Sequence, residues 1–347
     1  MVLIVRTLIS CLCLSAALFG GVHVENAPGN SAASAVVMAA NGEIVYEKNA
    51  SFQRPIASTT KIMTAIVVIE NCGLDEVVEI TSDSCNIEGS SMYLKAGESY
   101  TVRELLEGLM LVSGNDAAHA LALHTAGSID AFAELMNEKC RELGMVNSHF
   151  KNPHGLSEDG HYSTAADMAK LMVYCMENPD FAKLSATKSS SNANHSFVNH
   201  NKLLHICPGC TGGKTGYTMA AGRCLVSSCE RDNSRFVCVT LNAPDDWDDH
   251  MNLYNWAFSN YRMCDVAQGL RFEIPVVSGE KDKVTLAADK LEVLIPKSEE
   301  IEIKAQMPHF IFAPVAEEEA GGSFKAYCKG ELIAEGKLIF AESINAS

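Results

Sequence analysis

The chain has 347 residues and a formal net charge of −16, from 27 lysines and arginines against 43 aspartates and glutamates. This acidity argues against a surface for nucleic acids or anionic membranes, since both bind to basic faces. A hydrophobic fraction of 47% with only 20% charged residues is typical of a globular protein with a large core. An anionic ligand would need local cations, so individual lysines in a cleft matter more than the total charge.

Residues 1–27 have the pattern of a secretory leader. Arg6 precedes an apolar stretch from Leu8 to Phe19, and small residues follow it. An uncleaved membrane anchor is the alternative, because the charged region is thin and no clean A-x-A cleavage site follows. No later segment approaches the roughly 20 apolar residues that a membrane span needs. We therefore expect the protein to work outside the cytoplasm.

Residues 28–265 combine strand and helix patterns. Two β-rich runs flank Asn41–Gly42 and predict a hairpin, a helix pattern starts at Ser58, and Thr101 with Glu104 forms a capping box before another helix. The remaining predicted elements are helices within 116–124, 128–144 and 163–178, strands within 211–218, 222–230 and 234–244, and a helix at about 246–261. Strands at both ends with helices between them predict an α+β domain with one antiparallel sheet flanked by helices.

Beyond residue 265 the pattern of hydrophobic and polar residues changes. Residues 266–347 contain short runs of alternating hydrophobicity, separated by glycines and prolines. This pattern predicts a separate small β-sandwich.

Ser58 and Lys61 form an S-x-x-K motif. Two side chains three residues apart share a helix face, so the lysine amine can take the serine proton. The residues after Lys61 are largely apolar, and burial makes an ammonium lose its proton more easily. The motif is weak alone, because hydroxyl residues before an apolar run are also typical of an ordinary helix cap.

Two further motifs follow along the chain. Ser113-Gly114-Asn115 lies between two predicted helices, where a loop can project a hydroxyl and an amide into a cleft; a plain helix cap is the alternative. Lys214-Thr215-Gly216 lies in a predicted strand, where the glycine lets a ligand approach the backbone. The alternative for Lys214 is an exposed edge-strand lysine that prevents aggregation.

The three motifs in this order match the set described for penicillin-binding proteins and class A β-lactamases. The chain resembles the low-molecular-mass penicillin-binding proteins, the serine D-alanyl-D-alanine carboxypeptidases. "NPHGL" at 152–156, "HYSTAADMA" at 161–169 and "AGRCL" at 221–225 extend the resemblance, and the middle motif has the S-G-N form typical of these carboxypeptidases. The resemblance implies the penicillin-binding/β-lactamase-like transpeptidase fold and a C-terminal β-domain, which class A β-lactamases lack.

The resemblance also implies an activity in the bacterial cell envelope. The enzyme would remove the terminal D-alanine from peptidoglycan stem peptides ending in D-Ala-D-Ala, with β-lactam antibiotics as covalent inhibitors and with no metal or cofactor. Ser58 would attack the carbonyl between the two D-alanines and form an acyl-enzyme, with Lys61 as general base. Ser113 would relay protons toward the leaving amine, and Asn115 would hold the substrate amide and the lysine.

The K-T-G strand would bind the substrate. Lys214 and Thr215 would hold the terminal carboxylate beside Gly216, and the backbone N–H groups of Ser58 and Tyr217 would form an oxyanion hole. Related enzymes often carry N-R-N ahead of this strand, whereas here His200 occupies the arginine position. Loss of the guanidinium would weaken carboxylate binding unless Lys202 compensates for it.

Two rival functions remain open from the sequence. A β-lactamase needs a second base for deacylation, commonly a loop glutamate, but neither Glu158 nor Glu177 lies in an E-x-x-x-N pattern. A non-catalytic envelope scaffold is the other rival, although it would have no use for the serine nucleophile. His119, His124 and His154 are predicted to be structural.

The cysteines leave several alternatives open. Of 13 cysteines, eleven follow the leader, an odd number that cannot pair completely within one chain. "CPGC" at 207–210 is compatible with a redox motif, or with zinc held together with Cys224 and Cys229. If the next two strands turn near Met219, residue numbers across the ladder sum to about 440, so Cys210 lies within about one residue of Cys229. A Cys210–Cys229 disulfide and free buried thiols are the remaining alternatives.

Overall fold

The computed structural model describes residues 26–191 and 195–347, so the predicted leader lies almost entirely outside the described residues. The described chain divides into two compact units. The first unit contains the residues up to Asp265 together with Glu292–Ser298, and the second contains Val266–Leu291 and Glu299–Ser347. In the described part of the chain, no helix has the length and apolar character to span a membrane.

The helices all lie before Tyr261, and strands occur throughout the described chain. The helices are α1 (Lys61–Asn71), α2 (Val102–Leu111), α3 (Asn115–Ala126), α4 (Ile129–Glu142), α5 (Ala165–Glu177), α6 (Pro179–Ala186), α7 (Leu203–Ile206) and α8 (Asp246–Asn260). The strands are β1 (Ser34–Ala39), β2 (Ile44–Lys48), β3 (Val77–Glu79), β4 (Ser99–Thr101), β5 (Ser189–Ser191), β6 (Ser196–Val198), β7 (Cys210–Thr218), β8 (Gly222–Arg231), β9 (Ser234–Leu241), β10 (Tyr261–Asp265), β11 (Arg271–Val277), β12 (Lys283–Ala287), β13 (Glu292–Pro296), β14 (Ile301–Gln306), β15 (Ile311–Phe312), β16 (Ala320–Cys328) and β17 (Glu331–Phe340).

The first unit is built on one five-stranded antiparallel sheet with the order β2-β1-β9-β8-β7. The pairing of β1 with β9 joins the two ends of the unit, as the α+β prediction requires. Every residue of β1 is buried because helices cover both faces of the sheet. Val36 and Met38 pack into the larger helical core, whereas Val37 and Ala39 face the core formed with α8.

Helix α1 passes through the centre of the larger core. It begins at Lys61, three residues later than predicted, because residues 57–60 form a 3-10 turn. The hydroxyls in this turn do not cap α1: Thr59 Oγ1 donates to Ile56 O at 2.6 Å, and Thr60 Oγ1 lies 2.9 Å from His161 Nε2. The helix-cap interpretation of these residues is therefore wrong.

The other elements predicted for the first unit agree with the structure, which also contains elements that the sequence pattern does not predict, including α6, α7 and the short strands β3 to β6. The Asn41–Gly42 hairpin, the Thr101–Glu104 capping box and the three strands after residue 209 are confirmed. The sequence pattern does not predict α6, because Pro179 there indicates only the end of α5. Proline is also favoured in the first turn of a helix, and here the Asn178 side chain caps the amides of that turn.

The second unit is β-rich, and its strands form one six-stranded sheet with the order β14-β16-β17-β12-β11-β15. The sequence predicted its β character but not this single-sheet arrangement. Strand β13 does not belong to this sheet. It pairs with β10 inside the first unit, whereas the sequence pattern places it in the C-terminal domain of residues 266–347.

Candidate active site

The side-chain nitrogen of Lys61 lies at the centre of a buried hydrogen-bonded cluster. Its Nζ is 3.0 Å from Ser58 Oγ, 2.6 Å from Asn115 Oδ1 and 2.9 Å from the carbonyl oxygen of His154. The Lys61 side chain is 0% exposed. Ser58 lies in the 3-10 turn and Lys61 is the first residue of α1, so the S-x-x-K spacing brings their side chains together.

The partners of Lys61 define how its protons are arranged when it is neutral. The oxygens of Asn115 and His154 can only accept hydrogen bonds, so they take the two N–H groups of a neutral amine. The lone pair is then left facing Ser58 Oγ, which can donate its proton to it. Burial, followed by the positive charge of Lys214, holds the pKa of Lys61 well below its usual value.

A tight loop at residues 152–156 holds the turn that carries Ser58. Gly155 has φ +86°, and a Cβ there would lie 1.9 Å from the carbonyl oxygen of Ala57, so only glycine fits. Thr64 Oγ1 on α1 donates to Pro153 O at 2.6 Å and fastens the loop to the helix. Because the next residue supplies the carbonyl that Lys61 contacts, this loop aligns the lysine.

The S-G-N segment connects α2 to α3 and faces the lysine. Asn115 donates its backbone N–H to Ser90 O at 2.7 Å and its side-chain amide to Glu88 O, which leaves Oδ1 directed at Lys61. Ser113 has a φ of +63°, a left-handed conformation that is uncommon outside glycine and often occurs at functional sites. Its Oγ accepts a hydrogen bond from Lys214 Nζ at 3.1 Å.

Lys214 is a buried cation on the edge strand β7, not the exposed lysine of the alternative interpretation. Its side chain is 1% exposed, and its Nζ also donates to Thr215 O at 2.9 Å. Burial lowers the pKa of Lys214 to about 7. The two lysines are thus connected through the S-G-N segment, with Lys61 bound to Asn115 and Lys214 to Ser113.

Strand β7 runs against the turn that carries the serine. A Cβ on Gly216 would lie 2.9 Å from the backbone nitrogen of Ser58, so this close approach requires glycine. Tyr217 follows at the rim of the cleft with 67% exposure. The structure therefore brings all eight predicted site residues into one region.

A cavity of about 340 Å³ opens at this point. Its lining consists of Ser58, Ser90, Ser113, His200, Thr215, Gly216, Tyr217, Arg223, Asp246 and Trp247. The arrangement offers a hydroxyl nucleophile beside a buried lysine whose pKa is lowered, and a second buried lysine beside the cavity, which are the requirements for acyl transfer on a substrate with a carboxylate.

Residues 22–245 match the family described as D-alanyl-D-alanine carboxypeptidase. The chain belongs to the D-alanyl-D-alanine carboxypeptidase family. It is 30% identical over 322 residues to D-alanyl-D-alanine carboxypeptidase DacF of Bacillus subtilis, covering 87% of this chain and 83% of that protein. It is 36% identical over 231 residues to DacB2 of Mycobacterium tuberculosis, covering 63% of this chain and 79% of that protein.

Solved structures agree with this family assignment. The crystal structure of penicillin binding protein 5 from Haemophilus influenzae matches with a TM-score of 0.78 and 28% identity, covering 92% of this chain and 99% of the other. Penicillin binding protein 6B from Escherichia coli matches with a TM-score of 0.75 and 27% identity, covering 91% and 99%. The predicted penicillin-binding fold is therefore confirmed.

This member of the carboxypeptidase family carries a guanidinium that the sequence reasoning missed. Arg223 lines the cavity, and its Nε and Nη2 donate to one oxygen of the buried Asp246 at 3.1 and 2.7 Å. The Arg223 guanidinium also lies 5.7 Å from the centre of the Trp247 ring. The sequence did contain a signal for Arg223. The predicted register of the β7–β8 hairpin places it opposite Tyr217, and the structure has the same pairing.

At His200, where the chain departs from the carboxypeptidase pattern, the predicted substitute cation does not line the cavity. His200 lines the cavity, and burial followed by the charge of Lys214 lowers its pKa, which keeps the ring neutral. Lys202, the predicted substitute, is exposed and is not part of the lining. The additional cation of the cavity belongs to Arg223, which reaches it from β8.

The glutamates considered for a β-lactamase do not line the cavity of this carboxypeptidase-family site. Glu158 accepts a hydrogen bond from Asn152 Nδ2 at 3.0 Å, and Glu177 pairs with Arg235. His154 contributes its carbonyl oxygen to Lys61, a role that the sequence did not indicate. Its ring is held neutral because burial lowers its pKa to about 3.

The eleven cysteines in the described residues are all free thiols. The predicted register places Cys210 within about one residue of Cys229; in the structure a register shift between Cys210 and Gly212 puts the two directly opposite each other, but they are not bonded. A hydrogen bond from Cys229, together with the nearby Arg231, lowers the pKa of Cys207 to about 7. The four-cysteine zinc alternative is wrong, because Cys224 packs on the opposite face of the sheet from Cys207 and Cys229.

Proposed function

We propose that this protein removes the terminal D-alanine from peptidoglycan stem peptides and is acylated by β-lactams at Ser58. The observation that carries the proposal is the Lys61 amine, whose two carbonyl partners leave its lone pair for Ser58 Oγ. A buried lysine with this arrangement is suited to be a general base rather than a structural cation. Family membership supports the substrate class.

In the proposed acylation step, Ser58 Oγ attacks the carbonyl carbon between the two D-alanines and its proton passes to Lys61 Nζ. The C–N bond then breaks, and the same proton passes from Lys61 through Ser113 Oγ to the leaving amine, which leaves Lys61 neutral again. The backbone N–H groups of Ser58 and Tyr217 are proposed to stabilise the oxyanion, with Gly216 allowing the strand to approach. Water, deprotonated by Lys61, then attacks the acyl-enzyme and releases Ser58.

Recognition of the terminal carboxylate is proposed to depend on Lys214, Thr215 and Arg223. Lys214 supplies a buried positive charge next to Ser113 of the cavity lining, and Thr215 supplies a hydroxyl at the cavity. Arg223 gives both of its hydrogen bonds to Asp246, and its Nη1 has no hydrogen-bond partner among the described residues. The N–H groups of Nη1 are therefore available to a carboxylate.

We place the reaction in the bacterial envelope, outside the cytoplasm. The predicted leader of residues 1–27 supports export, with the protein either secreted or held at the membrane. All the proposed catalytic groups precede residue 266, so we propose that the C-terminal unit takes no part in the chemistry.

Labelled penicillin, combined with a D-alanine release assay, tests this function against its rivals. We expect a stable covalent adduct and release of D-alanine from a peptide ending in D-Ala-D-Ala. Rapid turnover of penicillin with no D-alanine release would indicate a β-lactamase. Absence of both labelling and release would indicate a scaffold.

The pH profile of kcat/KM is expected to be bell-shaped. Lys61 must be neutral to act as the base, so the rate rises as pH increases through its lowered pKa. Lys214 must be charged to bind the carboxylate, and with a pKa of about 7 it loses that charge as pH rises further. Lys214→Arg keeps the charge and should move the alkaline limb upward. An unchanged alkaline limb in this variant would contradict the role of Lys214.

Replacing Arg223 with glutamine is expected to raise KM for a D-Ala-D-Ala peptide by about 10- to 100-fold, because a charge-assisted hydrogen bond to the carboxylate is lost. Steady-state kinetics on purified variants measure this, with Lys202→Gln as the matched control because Lys202 lies outside the cavity. A substrate with an amidated C-terminus separates recognition from misfolding. If Arg223→Gln impairs the amidated and free-acid peptides equally, Arg223 is only structural.

A further inference from the structure

A second cluster of chemically active side chains lies at the far end of α1. The Sγ of Cys72, a carboxylate oxygen of Glu76 and a ring nitrogen of His124 all lie within 4.8 Å of one another. Within residues 26–191 and 195–347, this is the only set of three such groups that converges in this way. In tetrahedral zinc sites, neighbouring ligand atoms are about 3.5 Å apart, so small side-chain movements would complete the geometry.

Two of the three residues end helices that begin at the active site. Helix α1 starts with Lys61 and has Cys72 as its C-cap, whereas α3 starts with Asn115 and carries His124 in its last turn. The Lys61–Asn115 hydrogen bond joins the starts of the two helices, and the cluster joins their ends. An 11-residue helix is about 16 Å long, so the cluster is remote from the serine.

The electrostatics at this end favour a cation. The C-terminal ends of both helices point toward the cluster and carry partial negative charge. No basic residue lies in the last turn of α1. A thiolate and a carboxylate would together neutralise a divalent ion.

We propose that Cys72, Glu76 and His124 bind one zinc ion that fastens the C-terminal ends of α1 and α3 together. The thiol releases its proton to solvent as the Zn–S bond forms, and a water molecule fills the fourth position. Thiolate and imidazole ligands favour zinc over magnesium or calcium.

The surroundings already orient the ligands. Gly73 N–H donates to Glu76 Oε1 at 2.7 Å, which fixes the carboxylate, and His124 Nε2 lies 3.1 Å from Glu76 Oε2. Thr125 Oγ1 contacts Cys72 Sγ at 3.3 Å and donates its own proton to Leu121 O. Partners of this kind around the ligands are typical of metal sites.

The test uses the full chain stripped of metal with a chelator. Native mass spectrometry and calorimetric titration are expected to show one zinc bound per chain, and Co²⁺ is expected to give a thiolate charge-transfer band. Saturating zinc should raise Tm by about 5 °C, because it binds only the folded state. Cys72→Ser should lose the Co²⁺ charge-transfer band, because the thiolate is absent. His124→Ala should lose the rise in Tm, and both variants should lose tight zinc binding.

Matched controls are Cys85→Ser and His309→Ala, which remove a half-buried cysteine and an exposed histidine outside the cluster. Both should bind zinc like the unmodified chain. If Cys72→Ser does not fold, Glu76→Gln provides a milder variant, which loses a carboxylate ligand and should bind zinc more weakly than the unmodified chain. The proposal is overturned if the unmodified chain binds no zinc, or if binding is unchanged in the cluster variants. Penicillin labelling, which does not need the ion, separates this result from failure of the proposed function.

Discussion

Ser58→Ala is expected to abolish covalent labelling by penicillin and to lower D-alanine release by about 10⁴-fold or more, because no other group can form the acyl-enzyme. Ser58 Oγ has Lys61 Nζ at 3.0 Å and opens into the cavity, so removing one oxygen deletes the nucleophile without disturbing the core. Gel detection of labelled penicillin and a chromogenic D-alanine assay measure the two effects.

Ser90→Ala is the matched control, because Ser90 lines the same cavity but holds Asn115 only through its backbone oxygen. This control should be labelled normally. Labelling that survives in Ser58→Ala would place the nucleophile at another residue.

Lys61→Ala is expected to slow acylation by about 10²- to 10⁴-fold while a D-Ala-D-Ala peptide still binds. The serine keeps its position in the 3-10 turn, but no neutral amine remains to accept its proton. The cations proposed to bind the substrate carboxylate, Lys214 and Arg223, are untouched, so affinity should change less than rate. Stopped-flow acylation and equilibrium peptide binding separate the two quantities.

Rescue by a small amine distinguishes a missing base from a damaged fold. Methylamine can occupy the space left by the lysine, and the acylation rate of Lys61→Ala should then increase with the concentration of the neutral amine. Thr64→Ala, which loses the contact between α1 and Pro153 but keeps the lysine, should show no such dependence. Near-normal turnover of Lys61→Ala without added amine would show that another group is the base.

Much of the fold follows from local signals in the sequence. The turn expected near Met219 predicted a register for β7 and β8 that the structure reproduces at Lys214, which faces Val226. The Thr101–Glu104 box marked the start of α2, since a capping box needs only residues three apart. The S-x-x-K spacing likewise brought Ser58 near Lys61, because side chains one turn apart lie on one face.

Other features were decided only by tertiary packing. Lys61 meets Asn115 and His154 across large sequence separations, and these contacts, with burial between helices and sheet, determine its pKa. The guanidinium at the cavity comes from Arg223 on the neighbouring strand rather than from the position that the motif indicated. Spacing along a chain determines which side chains share a turn or a strand face. Which distant segments meet depends on how the whole core packs, and neither the contacts of Lys61 with Asn115 and His154 nor the cluster at Cys72 has a local signature.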